Sequence, residues 1–272
     1  MTTPPSFNVL GIGLSAIDIP MALMVIDQWI AHREQRYVCV LNVHCLVESR
    51  RNPPLRQIYN GAGLRTPDGM PLVWLAHWHK QPTVSRVYGP DLMLALCGVP
   101  GYRHFLYGGS EIALNALAAN LERQFPGFNL VGKFSPPFRN LTSSEDEQTI
   151  ALINNSQADI VWIGLGTPRQ DFWIRDHRAQ LNVPVLIGVG AAFDFLSGHK
   201  PQAPHWMQRH GFEWLFRLLS EPRRLWRRYL IDNPLFLLMA LAQMLHLRRY
   251  EIEQAIENKH DTIESLESAG NL

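Results

Sequence analysis

The residues best placed to do chemistry are single carboxylates and glycine turns at the predicted ends of strands. Asp68 stands between Pro67 and Gly69, just before the apolar run Met70–Trp74. Pro67 holds the residue before it in extended geometry, and Gly69 permits a tight turn or a close approach by a ligand. The carboxylate is thus fixed on a sharp loop at an element boundary, where catalytic groups often lie. The competing reading is local: Asp68 caps a helix that starts near Met70.

Four glycine turns accompany it. Tyr107-Gly108-Gly109-Ser110 follows an apolar strand and opens a helix, so its amides form a phosphate cradle or an ordinary turn. Gly164-Leu165-Gly166-Thr167-Pro168 leads into a helix whose first turn carries Arg169, Gln170 and Asp171. Arg169 and Gln170 can donate to a phosphate or sugar oxygen, whereas Asp171 compensates the helix dipole. Gly188-Val189-Gly190 leads to Asp194, which either accepts from a base or ribose hydroxyl or caps a helix. Gly11-Ile12-Gly13-Leu14-Ser15-Ala16 fits the dinucleotide pattern GxGxxA, and an NAD-dependent oxidoreductase is the alternative it raises. The acidic partner expected after the second strand is missing, because that strand ends in Asn42 and His44. Asp18 and Pro20 also interrupt the receiving helix, so a tight structural turn is the preferred reading.

Near the C-terminus, Arg217, Arg223, Arg224, Arg227 and Arg228 precede the apolar run Leu235–Leu247. In one helix Arg224 and Arg228 share a face, with Arg227 adjacent. Arginines beside Trp226, Tyr229 and Phe236 suit an anionic membrane surface or a lipid-linked diphosphate. Without the apolar run they would be a solvated helix face, and a non-catalytic membrane-surface scaffold is a third reading. No stretch reaches the roughly 18 apolar residues of a membrane span, and Met1–Phe7 lacks the pattern of a secretory signal.

The elements that would position these groups alternate between strand and helix. The chain has 272 residues, 46% hydrophobic and 18% charged, with a net charge of +1. That balance argues against a nucleic-acid partner. Cys39, Cys45 and Cys97 lack CxxC spacing and suit a reduced compartment, with Cys39 and Cys97 in core runs. No metal-ligand spacing, DxD pair or GxSxG elbow is present, so neither a metal site nor a serine hydrolase is expected. Apolar runs at 37–42, 104–108, 160–164 and 183–189 read as buried strands, and 8–13 as a strand ending in glycines. Helical patterns fill 20–32, 48–61, 72–79, 92–97, 112–124 and 145–154. This is an α/β fold with a mostly parallel sheet, in which ligands bind at the carboxyl ends of strands. From Glu213 the character becomes helical and basic, and from 251 it becomes a polar tail. The expected division is a core over 1–211, a helical appendage over 212–250 and the tail over 251–272.

Several motifs in order resemble the WecG/TagA/CpsF family of bacterial glycosyltransferases. They are Asn42-Val43-His44, Pro67–Pro71, Arg86–Leu92, Gly164–Asp171, Gly188–Asp194, Gln202-Ala203-Pro204, Glu213–Arg217 and Glu221–Arg224. The resemblance spans residues 8 to 230. It implies a Rossmann-like core and a membrane-docking C-terminal appendage that completes the site. It further implies an inverting, metal-independent hexosyl- or N-acetylhexosaminyltransferase with no cofactor. The donor would be a UDP-sugar and the acceptor a polyprenyl-diphosphate-linked saccharide, feeding surface polysaccharides from the inner face of the cytoplasmic membrane. A homo-oligomer built through the core is compatible with it. Carried across, Asp68 matches the general base and Gln170 the active-site glutamine. Asn42, Gly108, Gly109, Ser110, Gly164, Gly166, Gly190 and Asp194 fall on the donor side. Arg217, Arg224 and Arg227 match arginines for the acceptor diphosphate. Two positions depart from the pattern: Val40 replaces a threonine found in teichoic-acid members, and His44 replaces an acidic residue common in the family. Both bear on donor or acceptor identity.

Overall fold

The computed structural model describes residues 4–252; most of the polar tail expected from 251 lies outside the described residues. Six strands form a parallel sheet: β3 (Arg36–Leu41), β4 (Leu64–Pro67), β5 (Arg103–Gly108), β6 (Asn129–Phe134), β7 (Ile160–Gly164) and β8 (Val185–Gly188), in the order β4-β3-β8-β7-β5-β6. They follow a two-stranded antiparallel hairpin, β1 (Ser6–Val9) and β2 (Ile12–Ser15). The inner strands read Val-Cys-Val-Leu, Phe-Leu-Tyr and Ile-Val-Trp-Ile because helices cover both sheet faces, and a strand buried on both sides needs apolar residues throughout. Trp162, Phe105 and Tyr107 are fully buried there. Each such side chain is worth about 1.5–3 kcal/mol relative to exposure. The three cysteines are free and buried.

The hairpin corrects one expectation. Residues 8–13 are not a strand feeding a helix; Leu10 and Gly11 form the turn of β1–β2. The Gly11 amide is taken by Asn8 Oδ1 at 2.9 Å, and its carbonyl by Asn60 Nδ2 at 2.9 Å. No polar group of that glycine is left for a pyrophosphate, so the dinucleotide reading fails on geometry. The GxGxxA spacing is produced here by a hairpin that covers the sheet edge.

Strand register sets the site. β3 and β4 pair Leu41 with Pro67, and the Asp68 amide donates to the Leu41 carbonyl at 2.7 Å. Asn42 and Asp68 therefore leave the sheet side by side. The pairing of Gly108 with Gly164 brings two other glycine turns together in the same way. A Cβ on Gly108 would sit 2.7 Å from the Gly164 carbonyl carbon, so only glycine allows these strand ends to approach so closely.

After residue 212 the chain is helical. Glu213–Ser220 is followed by one continuous run: an α-helix over Pro222–Arg227, a π-helical turn over Arg228–Asp232 and an α-helix over Asn233–Met244. Phe236, Ala240 and Tyr250 belong to the same apolar cluster as Phe7, Leu10, Leu46 and Leu72. The C-terminal helices thus share a core with the hairpin and the helix Val43–Arg51. Leu230, Leu237, Leu238, Leu241 and Leu245 of this segment are exposed, as are Arg223, Arg227, Arg248 and Arg249. Among the described residues, no helix is long and apolar enough to cross a membrane.

Candidate active site

The carboxyl ends of β3, β4, β5, β7 and β8 open into one cleft with two lobes. The larger, about 630 Å³, is walled by the glycine turns at Gly109, Gly164, Gly166 and Gly190, with Gln170, Asp194, Lys200 and Arg224. The smaller, about 90 Å³, lies between the helix starts at Val43 and Met70 and the C-terminal helices. Four residues line both lobes: Asn42, Asp68, Arg217 and Arg228. The larger volume is typical of a small-molecule or nucleotide site.

Asp68 is at the junction. It does not cap the following helix: Gly69 occupies the cap position, and no side-chain cap bond is made. The local reading of Asp68 is set aside on that observation. Its side chain is 16% exposed, and Oδ1 lies 3.4 Å from the Arg86 guanidinium. Burial pushes its pKa up to about 6, against the lowering fields of Arg86, Arg217 and Arg228, with Glu213 adding to the rise. A shift from 3.8 to about 6 makes ionisation about 3 kcal/mol harder than in water. A carboxylate so tuned is a stronger proton acceptor than an ordinary aspartate, yet it is mostly ionised at neutral pH.

Arg86 organises the surroundings. Its guanidinium bridges Asp68 and Glu213, bonds Gln208 Oε1 at 3.3 Å and stacks over the Tyr88 ring at 3.9 Å. Glu213 makes the closer pair, so Arg86 is held mainly by the C-terminal segment and Asp68 keeps a looser contact. Sequence reasoning placed Arg86 within a motif but gave it no role, because its two partners lie 18 and 127 residues away.

The other predicted residues divide clearly. Gln170 is buried in the first turn of the helix Arg169–His177, and its Oε1 has no hydrogen-bond partner. An unpaired buried amide on a cleft wall is costly unless a ligand completes it. Asn42 and Ser110 line the cleft and also cap helices, accepting from Cys45 and Ala113 amides at 3.3 Å each. Gly109, Gly164, Gly166 and Gly190 line the large lobe, whereas Gly108 lies behind it as the strand contact described above. The Gly109 amide donates to the Gly164 carbonyl at 3.2 Å, which leaves the cradle fewer free donors than its sequence suggested. Asp194 is neutralised by Lys200 Nζ at 2.7 Å. Asp171 lies inside the protein near the Tyr59 hydroxyl at 3.5 Å, where burial raises its pKa to about 7.

The arginines do not all converge. Arg217 lies over the Phe195 ring and lines both lobes, and Arg224 lines the large one. Arg227 lines neither; it turns outward beside Trp226, 5.2 Å from the ring. Arg228 takes its place at the junction, its Nε buried without a partner. Arg228 follows Arg224 by four residues, one α-helical turn, which puts the two on one face and leaves Arg227 beside it. The regular-helix pattern already puts Arg224 and Arg228 on one face; the family resemblance, not the periodicity, points to Arg227. Among the described residues no cluster of three or more histidine, cysteine or acidic side chains could hold a metal.

A profile of the Glycosyl transferase WecG/TagA/CpsF family matches residues 7–250. The chain belongs to this family. That membership makes it a glycosyltransferase with a sugar donor and an acceptor as substrates, consistent with surface polysaccharide synthesis.

Proposed function

We propose that this glycosyltransferase moves a sugar from a UDP-linked donor to a polyprenyl-diphosphate-linked saccharide, with inversion and without a metal. The observation that carries the reading is the position of Asp68 where the lobes meet. The nucleotide sugar occupies the large lobe along the glycine turns and Gln170, and the acceptor enters the small lobe. Asp68 takes the proton from the acceptor hydroxyl as that oxygen attacks the anomeric carbon. The bond from that carbon to the diphosphate oxygen breaks, and UDP leaves with the electron pair. The developing charge meets Arg217, Arg224 and Arg228 in a partly buried setting, where such cations act strongly. Asp194 and Glu213 are both engaged by cations. Among Asp68, Asp194 and Glu213, Asp68 has the longest ion pair, 3.4 Å to Arg86, and a single loosely held carboxylate favours a single displacement, hence inversion, over a double one.

The exposed leucines and flanking arginines of the C-terminal helices support docking of residues 212–250 on the cytoplasmic face of an anionic membrane. An apolar helix face rimmed by arginine suits the interface between headgroups and acyl chains. The same segment supplies Glu213, Arg217 and Arg228 to the cleft, so docking and completion of the site go together.

A thermal-shift panel with UDP, GDP, CMP and NAD(H), followed by transfer to a prenyl-diphosphate saccharide on vesicles, tests this function. A ligand at 100 times its Kd stabilises by about 2.7 kcal/mol. Selective stabilisation by UDP with transfer to the lipid-linked acceptor is expected; stabilisation by NAD(H) alone overturns the reading.

A further inference from the structure

The fold gives His44 a specific partner far along the chain. Its Nδ1 lies 2.8 Å from Asp232 Oδ2, across 188 residues of sequence. The other Asp232 oxygen accepts from Arg51 at 3.1 Å. The Asp232 side chain is 7% exposed and that of His44 is 22% exposed. Asp232 closes the π-helical turn, and His44 lies in the first turn of the helix Val43–Arg51. A carboxylate oxygen can only accept here, so Nδ1 carries the ring proton. In the neutral ring Nε2 then bears a lone pair. His44 lines the small lobe with Asp68, and among the described residues Nε2 has no partner.

We propose that His44, held by Asp232, binds the acceptor: Nε2 accepts a hydrogen bond from a hydroxyl of the acceptor saccharide and holds it beside Asp68. This rests on the assignment of the small lobe to the acceptor. Asp232 is a positioning residue, since it acts by fixing the ring and its tautomer. A lone-pair acceptor selects a hydroxyl over a phosphate oxygen, so His44 reads the sugar while the neighbouring arginines read the diphosphate. Burial and the Arg228 charge lower the His44 pKa, against the opposing pull of Asp232 and Glu48. The ring therefore stays neutral, and able to accept, at neutral pH.

The test is steady-state kinetics on the full chain with a panel of synthetic prenyl-diphosphate monosaccharides, alongside UDP binding by calorimetry. His44→Asn keeps an amide to donate to Asp232 but removes the nitrogen in the lobe. It should raise the acceptor KM about three- to tenfold, the loss of one neutral hydrogen bond, with kcat and UDP affinity nearly unchanged. His44→Gln, which returns an acceptor oxygen near the Nε2 position, should restore most of the affinity. Asp232→Asn, whose amide can donate to Nδ1 and move the proton to Nε2, should reproduce the His44→Asn defect. In the wild type the acceptor KM should rise at acid pH, below the ordinary histidine range because the His44 pKa is lowered, and His44→Gln should lack that rise. An unchanged acceptor KM in His44→Asn overturns the inference alone. A collapse of kcat without a KM change also overturns it, because it would make His44 a base. Failure of the wild type to bind UDP or use any panel member overturns the underlying function instead.

Discussion

The two lobes of the cleft are built from different material. The large lobe includes the glycine turns at Gly109, Gly164, Gly166 and Gly190, which lie at or just past the carboxyl ends of sheet strands. The small lobe is mostly side chains from distant parts of the chain, tied by Arg86 to Glu213 and by His44 and Arg51 to Asp232. Backbone turns on a packed parallel sheet change little, and they suit the part of a substrate that never varies, such as a nucleoside diphosphate. Ion pairs between segments can be replaced one side chain at a time, and they suit the part that differs between relatives. The contrast also separates rigidity from assembly. The large lobe rests mainly on the sheet, with Arg217, Arg224 and Arg228 added from the C-terminal helices, whereas those helices supply a larger share of the small lobe.

Substitutions at the boundary should separate the lobes most sharply. Asp68→Asn should lower kcat by about two or more orders of magnitude while UDP affinity is kept; rate and calorimetry on one preparation check this. Arg217→Ala, which removes a cation from both lobes, should cost about tenfold to a hundredfold in kcat/KM, the range for a charged hydrogen bond. Equal loss with donor and acceptor saturated in turn would show the shared role, and loss confined to one would place Arg217 in one lobe only. Gly108→Ala should destabilise by about 1–3 kcal/mol, because its Cβ meets the Gly164 backbone. That effect should appear in Tm and donor affinity and leave the acceptor KM alone. Arg227→Ala should change detergent-phase kinetics by less than about twofold, as for an exposed charge, and show its effect only on anionic vesicles.

Asp68 also makes a stability prediction whose sign is fixed. Its folded pKa, about 6, lies above the ordinary 3.8. The folded state therefore holds the proton more tightly, and stability falls as pH rises from near 4 through about 6. Asp68→Asn removes that penalty, so the variant should melt higher than wild type at pH 8. The difference should vanish towards pH 4, which thermal melts at the two pH values measure.

Much of this was legible in the residues, for stateable reasons. Continuous apolar runs at 160–164 and 104–108 mark strands buried on both faces, and the glycines after them mark the rim. Asp68 stood out because proline and glycine bracket it. The turn at Gly11 reads as structural, but 8–13 reads as one strand, because a tight antiparallel turn and a βα turn ask for the same glycines. β4 carries no strand signal of its own, since Leu-Arg-Thr-Pro is short and its pairing with β3 is a tertiary fact. Arg227 comes from the family resemblance, whereas helical spacing already points to Arg228 as the companion of Arg224 in the cleft. The partners of Arg86 and His44 depend on how the C-terminal helices dock, which spacing along the chain does not contain.

The most direct test of the central claim is the pH dependence of kcat for sugar transfer, with the acceptor saturating at each pH. If Asp68 is the base where the lobes meet, the rate should fall on the acid side through a single ionisation near 6, and the residual rate of Asp68→Asn should lack that limb. A wild-type profile flat from pH 5 to 8 (about one unit either side of that value), or an Asp68→Asn variant that keeps the limb, would contradict it.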